Sequence, residues 1–145
     1  MVYRAIGLMS DSSLDGLNMA FVEFQEIGGK WTFEILNTNC FAYSDVWVSR
    51  LQNATNLSAK DYQLLHIEYG HYTGQQVNKF IEENQLQYKV AVIASQGHTT
   101  FDLPDEKLTA HLGDGAAIAA LTGLPVVTNF YSIDAALGGT ERSMN

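Results

Sequence analysis

The sequence contains few cysteines and prolines, and it has no long apolar run. Its 145 residues include one cysteine and two prolines. A lone Cys40 cannot form an internal disulfide, which suits a reducing compartment. No apolar stretch approaches the ~20 residues of a membrane span, and Tyr3–Met9 is too short for the core of a signal peptide. These absences predict a cytoplasmic protein without a membrane segment.

Basic residues are also scarce. Eight lysines and arginines stand against sixteen aspartates and glutamates, which gives a formal net charge of −8. Such a balance offers no electrostatic footprint for nucleic acid or for an anionic membrane. A hydrophobic content of 46% argues against disorder, and the length fits one domain. We therefore expect one folded domain with neither nucleic-acid nor membrane partners.

A polar turn between two apolar runs is the most informative segment. Strands are predicted over Tyr3–Met9 and Leu17–Phe24, and the residues between them are mainly Ser, Asp and Gly. The hydroxyls and backbone N–H groups of such a turn can hold a phosphate, and Asp15 can hold a magnesium ion. The alternative is an ordinary turn in which these residues serve only the backbone.

The remaining chain alternates between apolar strands and helices. The pattern predicts strands over Trp31–Leu36, Val90–Ala94 and Pro125–Phe130, helices over Ser44–Gln52, Ser58–Asn84 and Asp114–Leu121, a loop over Ser95–Asp105 and an extended segment over Lys107–Leu112. Gly70 and Gly74, four residues apart on the long helix, predict close packing. Three antiparallel strands followed by helix, strand, helix and strand predict an α/β fold. We expect a ribonuclease-H-like lobe with a mixed five-stranded sheet.

Four blocks, in order, resemble a single family. Residues 9–16 read Met-Ser-Asp-Ser-Ser-Leu-Asp-Gly, which resembles the opening Met-Ser-Gly-Thr-Ser-Leu-Asp-Gly of the anhydro-N-acetylmuramic acid kinases. The other blocks are Ile93–Thr99, Leu112–Ala119, and Thr122–Val127 with Asp134–Gly139. The resemblance covers about residues 3–139 and implies the N-terminal lobe of a sugar kinase of the actin and hexokinase superfamily, which takes part in cell-wall recycling.

The resemblance also implies ligands and the residues that bind them. ATP with Mg²⁺ is expected at the turn, and 1,6-anhydro-N-acetylmuramic acid is the expected sugar. The implied nucleotide-binding residues are Asp11, Ser12, Ser13, Leu14, Asp15, Gly16, Leu17 and Asn18, with Asp15 also the metal ligand. The implied sugar-binding residues are Gln96, His98, Thr99 and Asp114. Asp114 also suits a helix N-cap, and a structural role is expected for His66 and His71.

The chain departs from the family pattern at the turn, at the histidine block and at its end. Asp11-Ser12 stands where the family has Gly-Thr, so an extra carboxylate lies where a triphosphate would bind and repels it. Gln96-Gly97-His98 lacks the first histidine of the family's segment. Residues 140–145 leave the pattern, and the family's catalytic aspartate belongs to the second lobe beyond the match. We therefore predict a kinase-like lobe over residues 1–139, and no catalytic residue within it.

Three hypotheses about function follow. The chain is a lobe that transfers phosphate only with a second lobe, or a non-catalytic domain that binds a sugar or a protein, or a subunit that pairs with a separate second lobe or with itself. Pairing predicts a dimer or larger assembly, because apolar side chains would be left uncovered. The side chains concerned are Val126, Phe130, Tyr131 and Leu137.

Overall fold

The computed structural model describes residues 1–130 and 132–138. The strands are β1 (Val2–Ser10), β2 (Gly16–Ile27), β3 (Lys30–Ala42), β4 (Val92–Leu103), β5 (Leu108–Leu112) and β6 (Val126–Val127). The helices are α1 (Asp45–Gln52), α2 (Ala59–Glu83), α3 (Gly115–Thr122) and α4 (Ser132–Ala136), with short 3-10 turns at Ala54–Asn56 and Pro104–Glu106. None of the described helices is long and apolar enough to cross a membrane.

The strands form one mixed sheet of six, with β1 near its centre. The order is β3-β2-β1-β4-β5, and β6 pairs with β4. The first three strands are an antiparallel meander, whereas β4 runs parallel to β1. The first part of β4 pairs with β6 in parallel, and its later part, from His98 onwards, pairs with β5 in antiparallel. This topology confirms the predicted α/β class and the ribonuclease-H-like lobe.

Three details of the predicted sheet are wrong. Ser95–Asp105 is not a loop, because β4 continues to Leu103 by pairing with β5. The extended segment before the third helix is therefore a true strand, which makes six strands rather than five. The strand predicted over Pro125–Phe130 is reduced to Val126–Val127, since β5 occupies the edge of β4 beyond that point.

The core lies between one face of the sheet and helix α2. Alternation along β2 directs Leu17, Met19 and Phe21 to this face, and each is 2% exposed. Val77 and Phe80 of α2 are fully buried against the strands. The Ser58 hydroxyl accepts a hydrogen bond from the backbone N–H of Asp61 at 3.1 Å, so the helix begins where its capping pattern predicts.

Two glycines bring α3 close to α2, as their spacing predicts. A Cβ atom on Gly70 would lie 2.7 Å from the carbonyl oxygen of Asp114, and one on Gly74 would lie 3.0 Å from Cδ1 of Leu121. Only glycine permits such an approach at Gly70, because the obstacle there is backbone. This contact fixes the N-terminus of α3 on the surface of α2.

Only some of the apolar side chains that were predicted to be uncovered near the C-terminal end are exposed. Phe130 is 38% exposed and Leu137 is 82% exposed, as pairing would require. Val126 is half-buried against the core. Tyr131, Gly139 and the predicted tail over residues 140–145 lie outside the described part of the chain.

Candidate functional site

Three segments meet where β1, β4 and β5 end or bend. They are the turn after β1, an irregularity in the middle of β4, and the residues between β5 and α3. The register joins them, because Ser10 pairs with His98 and His98 pairs with Leu112. The carboxyl ends of parallel strands are the usual ligand-binding edge of α/β sheets.

The side chain of Asp11 folds back over its own turn. Its Oδ1 atom accepts a hydrogen bond from the backbone N–H of Ser13 at 2.6 Å and another from the Ser13 hydroxyl. The Ser13 Oγ atom also lies 2.8 Å from Oδ2 of Asp15. These contacts, first the hydroxyl and then the backbone N–H, lower the pKa of Asp11. The turn thus holds an anionic group with the donors that a phosphate would use.

The remaining residues at the tip of the turn are open to solvent or set its shape. Ser12 and Asp15 are exposed. Leu14 has a left-handed backbone with φ of 59°, and its N–H donates to the carbonyl of Asp11 at 3.2 Å, which closes the turn. A non-glycine residue in this region is strained, and strained positions cluster at functional sites.

The last three predicted nucleotide contacts belong to β2. A Cβ atom on Gly16 would lie 2.5 Å from the carbonyl oxygen of Phe41, so glycine is required there for strand packing. The Leu17 side chain is in the core, which leaves only its backbone for a ligand. Asn18 faces the opposite side of the sheet, next to Cys40.

A bulge in β4 turns His98 towards the helices. β4 pairs with β1 on both sides of the bulge. Between these two paired positions β1 advances by two residues, from Leu8 to Ser10, whereas β4 advances by three, from Ser95 to His98. The extra residue inverts the alternation of faces. Gly97 permits the bend: its φ is 74°, and a Cβ atom there would lie 2.4 Å from the carbonyl oxygen of Leu112.

His98 ends a chain of buried hydrogen bonds beneath the turn. Tyr69 and Tyr43 are joined through their hydroxyls at 2.5 Å, and Tyr43 donates to the Ser10 hydroxyl at 2.7 Å. Ser10 Oγ lies 2.9 Å from Nδ1 of His98. Ser10 thus accepts from Tyr43 and is hydrogen-bonded to Nδ1 of His98, and the tautomer of the imidazole sets which of these two atoms donates.

The shifts in pKa favour the uncharged forms of these hydrogen-bonded side chains. Burial lowers the pKa of His98 and the nearby His111 lowers it further, whereas the charge of Asp11 opposes both effects. Burial raises the pKa of Tyr43, and it raises that of Tyr69 well above its ordinary value. All these hydroxyls remain protonated near neutral pH and act as donors.

Asp114 and His66 form the third part of the site. Oδ2 of Asp114 accepts from the N–H of Ala117 at 3.3 Å, so the predicted N-cap role is confirmed. Its Oδ1 lies 4.0 Å from Nε2 of His66. Nδ1 of that histidine accepts from the N–H of Gly113 at 3.0 Å. His66 thus fixes the backbone beside Asp114, a structural role as predicted, but one exercised at the site.

The other two predicted sugar contacts lie on β4. Gln96 is half-buried at the bulge, directly before Gly97. Thr99 is half-buried and pairs with His111 of β5. The structure therefore places Gln96, His98 and Thr99 on one strand and, through the β5 pairing, close to the start of α3. Because consecutive strand residues face opposite sides of the sheet, the Thr99 side chain does not share the face of His98.

Sequence reasoning did not single out Tyr43 and Tyr69, because a tyrosine at a strand end or on a helix face ordinarily indicates core packing. A usable signal existed for His66. It precedes Gly70 by four residues on α2 and therefore shares the face that contacts α3.

The donors at the turn suit magnesium better than a softer metal. Carboxylate oxygens of Asp11 and Asp15 both lie within hydrogen-bond distance of Ser13 Oγ. Within residues 1–130 and 132–138, no group of three or more His, Cys, Asp or Glu side chains could hold a metal ion. Magnesium is commonly held by one or two carboxylates together with phosphate oxygens and waters. The residues present fit that mode.

Comparison with known proteins identifies the family. A family profile described as anhydro-N-acetylmuramic acid kinase matches residues 3–142. The chain belongs to the anhydro-N-acetylmuramic acid kinase family. Kinases of this name from Sulfurimonas denitrificans and Brucella canis are 32% and 33% identical over 139 and 153 residues. One from Zymomonas mobilis is 34% identical over 148 residues.

The chain spans about two-fifths of the length of these kinases. The alignments cover 92% of this chain and 37% of the Sulfurimonas protein, and 93% of this chain and 40% of the Zymomonas protein. The turn, the bulge and the start of α3 all lie inside the match. The three segments that converge in the structure therefore lie within the part of the chain that the family profile matches.

Proposed function

We propose that this chain is the N-terminal lobe of an anhydro-N-acetylmuramic acid kinase. It binds magnesium-ATP at the turn and the anhydro sugar beside it, in the cytoplasm, and phosphoryl transfer requires polypeptide equivalent to the rest of the longer relatives. The observation that carries the proposal is the turn itself. The N–H and hydroxyl of Ser13 already bind the carboxylate of Asp11, as they would bind a phosphate oxygen.

On the nucleotide side, the turn supplies donors and carboxylates within a few residues. Ser12 and Ser13 offer hydroxyls and backbone N–H groups to phosphate oxygens. Asp15, exposed beside them, would hold magnesium together with those oxygens and water. The metal would neutralise phosphate charge, which matters for a chain with a net charge of −8. Positioning and charge neutralisation account for most of the catalysis in phosphoryl transfer.

On the sugar side, β4 and the start of α3 supply polar groups, and two of these groups are held in place by hydrogen bonds. His98 is 7% exposed and is held by Ser10, so its imidazole cannot swing to follow a ligand. Asp114 is held by the N-cap bond and keeps a second oxygen for a hydroxyl group. Gln96, at the bulge, and the backbone of Thr99 complete the set. Rigid donors and acceptors of this kind suit the recognition of a hydroxyl-rich ring.

A second candidate function is binding without catalysis, and the same turn favours it. The Asp11 carboxylate occupies the Ser13 donors, so a phosphate must displace it and also overcome the repulsion between like charges. A lobe that has lost its affinity for nucleotide would retain a sugar- or protein-binding role. Nucleotide affinity separates the two functions.

Calorimetry of this chain with magnesium-ATP and, separately, with 1,6-anhydro-N-acetylmuramic acid tests the proposal. Binding of both ligands is expected, and Ser13→Ala should weaken nucleotide binding without affecting the sugar. His98→Asn should do the reverse. Sugar binding without nucleotide binding, in wild type and in Asp11→Gly alike, would establish the non-catalytic function. Binding of neither ligand would refute both the kinase lobe and a sugar-binding role.

A further inference from the structure

Tyr43 joins the two ends of the polar turn through two separate hydrogen bonds. It directly follows β3 and is 8% exposed. Its backbone N–H donates to the carbonyl of Asp15 at 3.4 Å, where the turn ends. Its hydroxyl donates to the hydroxyl of Ser10 at 2.7 Å, where the turn begins. One buried residue therefore holds both ends of the turn.

The same hydroxyl reaches His98 through a single intermediate. Ser10 Oγ is 2.7 Å from the hydroxyl oxygen of Tyr43 and 2.9 Å from Nδ1 of His98. A serine hydroxyl rotates to suit its hydrogen-bond partners, so those partners set its direction. Ser10 and His98 are 6% and 7% exposed, and a buried polar group that loses a partner is costly. The way in which Ser10 meets the imidazole therefore depends on Tyr43.

The ring of Tyr43 is held by neighbouring aromatic rings. Its centroid lies 6.3 Å from that of Tyr69 and 5.9 Å from that of Tyr72. Trp47 packs against both of these rings, at 5.7 and 4.9 Å. Tyr69 also reaches the start of α3, because a Cβ atom on Gly113 would lie 3.5 Å from its Cδ2 atom. Packing thus fixes the Tyr43 hydroxyl relative to all three segments of the site.

The order of donors makes Tyr43 the critical member of this chain of hydroxyls. A phenol carries one proton, and that of Tyr43 goes to Ser10, so Tyr69 donates to Tyr43. Loss of the Tyr69 hydroxyl would leave the bond from Tyr43 to Ser10 in place. Loss of the Tyr43 hydroxyl would break both bonds and leave the buried hydroxyls of Ser10 and Tyr69 without this partner.

We propose that Tyr43 is a positioning residue of the candidate sugar site: its hydroxyl, acting through Ser10, holds the imidazole of His98 in the orientation that meets the ligand. The sugar as ligand rests on the proposed function, whereas the orientation of the imidazole does not. A group that is already ordered binds more tightly than a mobile one, because its freedom is lost on folding and not on binding.

Nitrogen-15 NMR of the histidine side chains, recorded without ligand, tests the positioning directly. The chain has four histidines, and the signals lost in His98→Asn identify His98. Tyr43→Phe should shift both ring nitrogens of His98, and Ser10→Ala, which removes the intermediate, should do the same. Tyr69→Phe should shift them less. The control is Tyr72→Phe, which removes a hydroxyl from the same aromatic cluster outside the chain of bonds and should leave the signals unchanged.

Calorimetry with 1,6-anhydro-N-acetylmuramic acid tests the consequence for binding. Tyr43→Phe should weaken sugar binding about five- to tenfold, the equivalent of roughly one hydrogen bond. Tyr72→Phe should bind as the wild type does, and circular dichroism should show every variant folded.

Unchanged His98 signals in Tyr43→Phe would overturn the inference. Equal shifts in Tyr43→Phe and Tyr72→Phe would also overturn it, because they would indicate general repacking of the aromatic cluster. An unchanged sugar affinity in Tyr43→Phe would do so as well. A wild type that binds no sugar would instead refute the proposed function, and the imidazole signals, which are read without ligand, still decide whether Tyr43 holds His98.

Discussion

Replacing Gly70 by alanine should destabilise the protein and disturb the start of α3. The new Cβ atom would lie 2.7 Å from the carbonyl oxygen and 2.9 Å from the backbone nitrogen of Asp114. Backbone cannot move aside as a flexible side chain can, so α3 must shift. That shift lengthens two hydrogen bonds to His66, from the N–H groups of Gly113 and Asp114, at 3.0 and 3.1 Å.

The expected change in the free energy of unfolding is the balance of opposing effects. Overpacking costs about 1–3 kcal/mol, and each weakened hydrogen bond costs up to about 1 kcal/mol. Alanine returns about 1 kcal/mol because it favours the helix over glycine. The free energy of unfolding should therefore fall by about 2 kcal/mol. With a urea dependence of about 2 kcal/mol per molar, the unfolding midpoint should drop by roughly 1 M.

Gly74→Ala is the matched control. It adds the same Cβ atom to the same helix, but the nearest atom is Cδ1 of the Leu121 side chain at 3.0 Å, which can move. The stabilisation from the helix preference of alanine and the cost of the mild contact should nearly cancel, so the free energy of unfolding should change little. Urea unfolding of both variants, followed by circular dichroism, makes the comparison. If Gly70→Ala proved as stable as Gly74→Ala, the close approach of α3 would not be the constraint that the structure indicates.

Three further predictions concern the turn and the bulge. Asp11→Gly removes the carboxylate that occupies the Ser13 donors, so calorimetry should show magnesium-ATP binding about five-fold tighter than in the wild type. Asp15→Ala should weaken that binding. Equal affinities in the wild type and both variants would contradict this reasoning. The pKa of His98 is lower in the fold than the ~6.5 of the unfolded chain. The contribution of His98 to stability should therefore be constant above that pH and fall below it by up to about 1.4 kcal/mol per pH unit. Urea titrations from neutral to acidic pH should show a weaker fall in the free energy of unfolding for His98→Asn than for the wild type. The exposed control His71→Gln should show the same fall as the wild type. Gly97→Ala combines a φ of 74° with a Cβ atom 2.4 Å from a carbonyl oxygen, and it should lower the unfolding midpoint more than Gly70→Ala does.

The sequence predicts most of the fold because local signals agree with one another. The alternation Leu17, Met19, Phe21 identifies β2 and its buried face, and Ser58 followed by Asp61 identifies the start of α2. These patterns depend on neighbours along the chain, so they can be read from it.

The errors arise where distant pairing decides the structure. The polar residues after Ala94 predict a loop, yet they remain in β4 because β1 and β5 supply partners on both edges. The bulge at Gly97 inverts the faces, so alternation alone cannot show that His98 points towards Ser10. His66 meets Gly113 only because α2 and α3 cross at that point.

The same topology has a consequence for folding kinetics. The turn at residues 28–29 joins Ile27 to Lys30, so the meander consists of sequence-local contacts that form quickly. Pairing of β1 with β4 joins Ile6 to Ile93 and must close a loop that contains the meander and α2. The bond between Ser10 and His98 lies at the far end of that pairing. We therefore expect β4 to join late, and amide hydrogen exchange around the turn and the bulge to be faster than in the meander, because the last part to assemble is the first to open.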